Sequence, residues 1–173
     1  MKNHFYKIGK NELIGDNDLN PEGIAAQYAA PLNDVDMLLL NGGGFWVDES
    51  TLDVDTSLWG AQAYWKRMIE NSDYLLAGAS YYDYGNLKGR TALSSTWSAA
   101  NSFLGNTSSG GVYKDDHDIF EAFGEYGFKW AGMPTAFFGS WVRNIAASSR
   151  EDTGWLQDFW VEISGDSKKE YSL

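Results

Sequence analysis

The stretch Phe120–Trp130, FEAFGEYGFKW, decides the fold class. Its even-numbered positions carry only aromatic or small residues, whereas its odd-numbered positions include Glu121, Glu125 and Lys129. Residues at every second position share one face of a β-strand. The alternation therefore predicts a strand with one apolar face and one charged face.

A second stretch, Trp59–Lys66, shows the same period. Its apolar positions are Trp59, Ala61, Ala63 and Trp65, and its polar face carries Gln62, Tyr64 and Lys66. Weaker alternation covers residues 24–29, 38–46, 74–82 and 155–163. Thr135–Arg143 fits either orientation, and Phe5–Lys10 is predicted as a short additional strand.

The segments between the predicted strands alternate in length. Short connections lie at 31–34, 70–73 and 131–133, and longer ones at 48–55, 85–116 and 146–152. This alternation is typical of outer-membrane barrels. We therefore predict an all-β fold: an antiparallel, up-and-down transmembrane β-barrel segment of about seven to eight meandering strands, with short turns at one end and long loops at the other.

Composition limits the remaining possibilities. The 173 residues predict a single domain, 1–173, in which 85–116 is a long, external and mobile loop. The absence of Cys excludes disulfides and thiol nucleophiles, and a net charge of -11 disfavours nucleic acid as a partner. Mean hydropathy is -0.39, which a barrel reaches by averaging an apolar outside with a polar lumen. Neither a spanning helix nor a secretory signal is apparent.

The sequence contains no recognisable catalytic signature. Glu121 and Glu125 would lie about 13 Å apart along a strand at ~3.3 Å per residue, farther than the carboxylate pairs of glycosidases. Asp16–Asn20 places oxygen ligands as a calcium loop does, but Pro21 stands where that loop needs Gly. We therefore predict no enzyme activity, no catalytic or metal-binding residues and no cofactor. We hypothesise that the acidic loops bind divalent cations weakly. His117, among the acidic residues 115–118, is predicted to be a solvated base in a loop.

Several segments resemble the putative porin family of Gram-negative bacteria, and they occur in that family's order. They are DLNPEGIAAQY (18–28), LLLNGGGFWVDES (38–50), YYDYGNLKG (81–89), IFEAFGEYGFKW (119–130) and NIAASSREDTGWL (144–156). The resemblance implies an outer-membrane barrel of roughly 16 strands that passes small solutes. After Leu156 the resemblance fades, and 157–173 departs from the family pattern. We therefore expect a fragment that lacks the family's N-terminal signal and extension and its C-terminal strands.

The predicted function is a porin-like channel in the bacterial outer membrane that allows passive diffusion of small hydrophilic solutes or ions. The predicted partners are these solutes, outer-membrane lipid and lipopolysaccharide, with a homo-oligomer left open. The predicted pore-lining residues are Gln62, Lys66, Glu121, Glu125 and Lys129. The predicted aromatic girdle at the lipid interface comprises Trp59, Trp65, Tyr81, Phe120 and Trp130. The alternative is a soluble, secreted β-sandwich or small barrel that binds carbohydrate through exposed aromatic residues.

Overall fold

The computed structural model describes residues 5–10, 22–48, 55–91, 103, 106–147, 153–161 and 169–171. The strands are β1 (Glu22–Pro31), β2 (Asp36–Asp48), β3 (Thr56–Met68), β4 (Tyr74–Gly85), β5 (Ser108–Ser109), β6 (Val112–Tyr113), β7 (His117–Trp130), β8 (Met133–Asn144), β9 (Thr153–Val161) and β10 (Lys169–Tyr171). Two short 3-10 turns lie at Ile8–Lys10 and Glu70–Ser72. Within the described ranges, no helix is long and apolar enough to cross a membrane.

Eight of the strands form one antiparallel sheet. The order is β1-β2-β3-β4-β7-β8-β9-β10, so each long strand pairs with the next one along the chain. Among the described residues, β1 and β10 each have one neighbour in this sheet, and β5 and β6 form a separate ribbon within the connection from β4 to β7. The predicted all-β meander of seven to eight strands is confirmed.

The prediction of a strand at Phe5–Lys10 was wrong, because the eighth strand of the sheet is β10. Phe5 and Ile8, three residues apart, are both buried against the sheet, whereas a strand would turn them to opposite faces. A φ of 55° at Gly9 within the following 3-10 turn also breaks the extended conformation. We call Phe5–Lys10 the inner segment.

The connections separate into two ends of the sheet. Residues 32–35, 69–73 and 131–132 form tight turns at one end, and the strand ends that flank 49–55, 86–116 and 145–152 lie at the other, as the sequence predicts. The strand ends that flank 162–168, Val161 and Lys169, lie at the first end. At the first turn, the Asn33 side-chain oxygen accepts hydrogen bonds from the backbone N–H groups of Val35 (3.0 Å) and Asp36 (2.9 Å). Ala131 and Gly132 both have positive φ, 51° and 81°, as a type I′ hairpin turn requires. These ends are called the turn end and the loop end.

The inner segment defines the two faces of the sheet. It covers the inner face, where Phe5 packs with Phe45, Leu58 and Tyr82 near the loop end. Nearer the turn end, Ile8 packs with Leu76 and Phe123. Both buried apolar clusters therefore combine the sheet with the inner segment.

The outer face exposes large apolar side chains. Exposed fractions reach 75% for Ile24, 60% for Trp59 and 64% for Trp130. Between the aromatic residues this face carries small side chains, among them Ala61, Ala63, Ala77, Ala122 and Gly124. A contiguous apolar surface of this kind is unusual for a protein surrounded by water on all sides.

The close contact between β3 and β4 depends on Gly78. A Cβ at this position would lie 2.4 Å from Tyr64 Cβ and 2.7 Å from the backbone oxygen of Ala63. We therefore expect Gly78→Ala to lower the free energy of unfolding by about 1–3 kcal/mol, since an overpacked site must shift the neighbouring strand. Denaturant unfolding followed by Trp fluorescence measures this change.

Gly124→Ala is the matched control. A Cβ at Gly124 would meet its nearest heavy atom, the backbone oxygen of Leu76, at 3.6 Å, which is ordinary contact. This variant should be neutral or stabilised by up to about 1 kcal/mol, because Gly weakens a strand interior. Equal losses in both variants would contradict the close β3–β4 approach.

Candidate functional site

A row of hydrogen-bonded polar side chains crosses the inner face at one level. Asn41 Nδ2 donates to Gln62 Oε1 (2.8 Å), and Gln62 Nε2 donates to Ser80 Oγ (3.0 Å). The Ser80 hydroxyl donates to Glu121 Oε2 (3.0 Å), and Ser140 Oγ donates to Glu121 Oε1 (2.8 Å). The row joins β2, β3, β4, β7 and β8, and we call its five residues the polar belt.

Strand register produces the belt. Asn41 lies opposite Gln62, Gln62 opposite Ser80, and Ser80 opposite Glu121. Directly opposed residues of antiparallel strands point to the same face, so their side chains meet. Ser140 reaches Glu121 from a diagonal position, because Glu121 lies opposite Val142.

All members of the belt are buried, and all are hydrogen-bonded. Their exposed fractions lie between 2% for Ser80 and 8% for Asn41. Among the described residues, no buried side-chain nitrogen or oxygen lacks a hydrogen-bond partner. Since hydrogen bonds to an ionised group stabilise by about 1.5–3 kcal/mol each, the two serines support the Glu121 carboxylate at this depth.

The inner segment lies on the belt through Tyr6. The Tyr6 backbone N–H donates to Gln62 Oε1 (2.8 Å), and Gln62 Nε2 donates back to the Tyr6 carbonyl oxygen (2.9 Å). The Tyr6 hydroxyl donates to Glu125 Oε2 (2.8 Å), and the Tyr74 hydroxyl donates to Glu125 Oε1. Burial, together with the Glu125 carboxylate, raises the pKa of Tyr6 far above its usual value, so its phenol stays protonated and remains a donor.

The structure brings three of the five predicted pore-lining residues together. Gln62, Glu121 and Glu125 lie on the inner face, beneath or beside the inner segment. Lys66 is on the same face toward the turn end, where its Nζ is 4.6 Å from the centre of the Tyr74 ring. Lys129 is exposed near the turn end of β7 and does not join the belt.

Sequence reasoning missed Tyr6, Asn41, Ser80 and Ser140. The strand residues Asn41, Ser80 and Ser140 could have been found by aligning the polar positions of successive strands across their turns. Tyr6 carried no such signal, because it lies in no described strand and its partner Gln62 is 56 residues away along the chain.

The predicted girdle residues lie on the outer face, toward either end of their strands. Trp59, Tyr81 and Phe120 lie toward the loop end, where the Phe120 ring packs edge-on against Trp141 with centroids 6.1 Å apart. Trp65 and Trp130 lie toward the turn end. Within β7, Phe120 and Trp130 are ten residues apart, which is about 34 Å along the strand. A strand tilt of about 40° reduces this to about 26 Å along the barrel axis.

Trp65 has polar and charged neighbours near the turn end. Its indole N–H donates to Asp36 Oδ1 (3.0 Å), and the Arg67 guanidinium lies 5.9 Å from its ring centre. Arg67 Nε in turn lies 3.4 Å from Asp36 Oδ1. The indole therefore has an apolar body next to small residues and a polar edge next to charges, an arrangement that suits a membrane–water interface.

A cavity of about 470 Å³ opens on the inner face at the turn end. Tyr6, Tyr64 and Tyr74 form aromatic walls, and Lys66 and Asp34 supply charges. The Tyr6 and Tyr64 rings stack with centroids 5.1 Å apart. The inner segment thus forms one wall of the space that remains beside it.

The remaining predicted sites are His117 and the possible metal ligands. His117 packs edge-on against Tyr84 (6.3 Å) and Tyr113 (5.7 Å), rather than standing in a solvated loop. No group of three or more His, Asp or Glu residues suited to a metal ion occurs in the described part of the chain. The calcium-like Asp16–Asn20 motif lies outside the described residues.

Comparison with known proteins finds a family match. A family model described as "Putative porin" matches residues 1–114, a range that contains the first three of the five motifs quoted above. No curated protein and no solved structure matches the chain.

Proposed function

Because the chain belongs to the putative porin family, we propose that it is an outer-membrane channel protein through which small hydrophilic solutes or ions diffuse passively. It would act by lining a water-filled path and would carry out no chemical step. Its partners would be the solute inside, and lipid and lipopolysaccharide against the outer face.

The contrast between the two faces of the sheet carries this proposal. The outer face exposes aromatic residues toward both ends of its strands with Ala and Gly between them, and the inner face carries a polar belt. An outer-membrane barrel has an apolar band ~25 Å tall between two aromatic girdles, with a polar interior. The estimated separation of Phe120 and Trp130, about 26 Å along the membrane normal, fits that band.

Charges on the inner face would determine which ions pass. Glu121 and Glu125 lie on this face, with Lys66 nearer the turn end. Rings of carboxylates in a pore favour cations over anions. We therefore expect the channel to prefer cations.

Neutralising both carboxylates tests this proposal. Glu121→Gln combined with Glu125→Gln keeps side-chain size and removes two negative charges, so the cation preference should fall severalfold. Reversal potentials in planar bilayers under a salt gradient measure the preference. Glu70→Gln, at an exposed turn position, is the control and should leave the preference close to that of the unsubstituted chain.

Two results would oppose the proposal in different ways. Unchanged selectivity in the double variant would contradict the position of these carboxylates along the solute path. A chain that stays in solution without detergent, shows no heat-modifiable shift in gels and gives no conductance would remove the channel function itself.

A further inference from the structure

The inner segment occupies the face along which a solute would have to pass. Phe5 and Ile8 are 7% and 1% exposed, and each belongs to a buried cluster with side chains of the sheet. Between them, Tyr6 contacts the polar belt through its backbone and its hydroxyl. The segment therefore crosses the inner face from the loop-end cluster to the turn-end cluster, at the level of the belt.

The way in which the segment is held differs from the way in which the strands are held. Each long strand is fixed by a ladder of backbone hydrogen bonds to its neighbours, and no described strand pairing includes Phe5–Lys10. Gln62 instead forms paired amide hydrogen bonds with the Tyr6 peptide groups, while Glu125 accepts from the Tyr6 hydroxyl. Removing the segment would break none of the described strand pairings, because it takes part in none of them.

The segment also changes the charge of the inner face. Lys7 is close enough to Glu121 to interact with it electrostatically. The Tyr6 and Tyr74 hydroxyls both donate to Glu125, so its carboxylate oxygens face hydrogen-bond donors. With the segment in place, both carboxylates are nearly enclosed, at 4% exposure each.

We propose that Phe5–Lys10 is the constriction of this channel: it narrows the lumen at the polar belt and is held there by Gln62 and Glu125. This inference rests on the proposed function. Lys7 and Tyr6 are then the residues of the segment that set ion preference, and Phe5 and Ile8 are its anchors. The cavity lined by Tyr6, Tyr64 and Tyr74 is the part of the solute path that the segment leaves open.

The test combines thiol labelling with ion flux in the full chain refolded with lipid vesicles. Since the chain has no Cys, a Ser80→Cys variant carries a single thiol at a belt position that is 2% exposed. A charged, water-soluble maleimide should label it far more slowly than a Ser109→Cys variant, whose position is exposed in the loop-end ribbon. The labelling rate at position 80 should approach that of the loop thiol when residues 5–10 are deleted, or when Ile8→Asp introduces a carboxylate into the apolar cluster.

Flux in the same preparations separates this inference from the proposed function. Deletion of residues 5–10 and Ile8→Asp should both raise potassium flux and cation preference, because the lumen widens and Glu121 loses Lys7.

Fast labelling of the Ser80→Cys variant in the otherwise unsubstituted chain would overturn the position of the segment over the belt. Release of the segment without any rise in flux would overturn its role as the constriction. If the chain conducts normally with the segment in place and its deletion changes nothing, the channel proposal survives and the constriction does not. Absence of flux from the unsubstituted chain and from both variants would remove the channel function itself.

Discussion

Ala63→Arg is expected to lower the free energy of unfolding of the membrane-inserted chain by about 2–4 kcal/mol. Ala63 is exposed on the outer face of β3, between Trp59 and Trp65. A guanidinium at that position would lie in the hydrocarbon layer, where its loss of hydration is not compensated. Denaturant titration of the chain refolded in phosphatidylcholine vesicles measures the change.

Ser109→Arg provides the control for this substitution. Ser109 is exposed in the short ribbon at the loop end, so the same side chain should remain hydrated there and change stability by less than about 0.5 kcal/mol. If Ala63 instead faced water, as in a carbohydrate-binding soluble protein, its substitution would be equally mild. Similar small effects in both variants would contradict a lipid-facing outer surface.

Gln62→Leu is expected to destabilise the chain by about 3 kcal/mol. The Gln62 amide accepts from Asn41 and from the Tyr6 N–H, and it donates to Ser80 and to the Tyr6 carbonyl. Leu has a similar volume but removes the hydrogen bonds that Gln62 makes to the Asn41 amide and to the Tyr6 backbone, and an unsatisfied buried polar group costs about 1–3 kcal/mol. The same vesicle titration measures the loss.

Gln27→Leu is the matched substitution for Gln62→Leu. Gln27 lies opposite Asn41 at the same level of the sheet, but it is exposed on the edge strand β1. Gln27→Leu should lower the free energy of unfolding by less than about 1 kcal/mol, since the groups around Gln27 remain accessible to water. A cost equal to that of Gln62→Leu would show that burial within the belt is not the source of the effect.

The strands were predictable because their pattern is local. In Phe120–Trp130 the aromatic and small residues recur at every second position, and β7 spans this stretch with Glu121 and Glu125 buried on the inner face. The charges alone would not have sufficed, because positions four apart also share one side of a helix. The orientation of Thr135–Arg143, which fits either face by sequence, is set by packing: Ser140 and Val142 are buried and Phe137 is exposed.

The inner segment was not predictable from its own residues. Phe5, Tyr6 and Ile8 are apolar or aromatic and suit a short strand equally well. Their partners Gln62, Phe123 and Glu125 lie far along the chain, so only the assembled inner face determines where the segment packs. For the same reason, the belt residues Asn41 and Ser80 are identified by the register between strands and not by any sequence motif.

The fluorescence of the outer-face tryptophans tests the central claim most directly, namely that this face contacts lipid. The chain would be refolded with phosphatidylcholine vesicles whose acyl chains carry bromine, a short-range quencher, and with matched vesicles without bromine. Because Trp59 and Trp130 are 60% and 64% exposed on that face, we expect strong quenching in the brominated vesicles, with the protein sedimenting with the lipid. Equal emission in both preparations, with the protein left in the supernatant, would contradict the account.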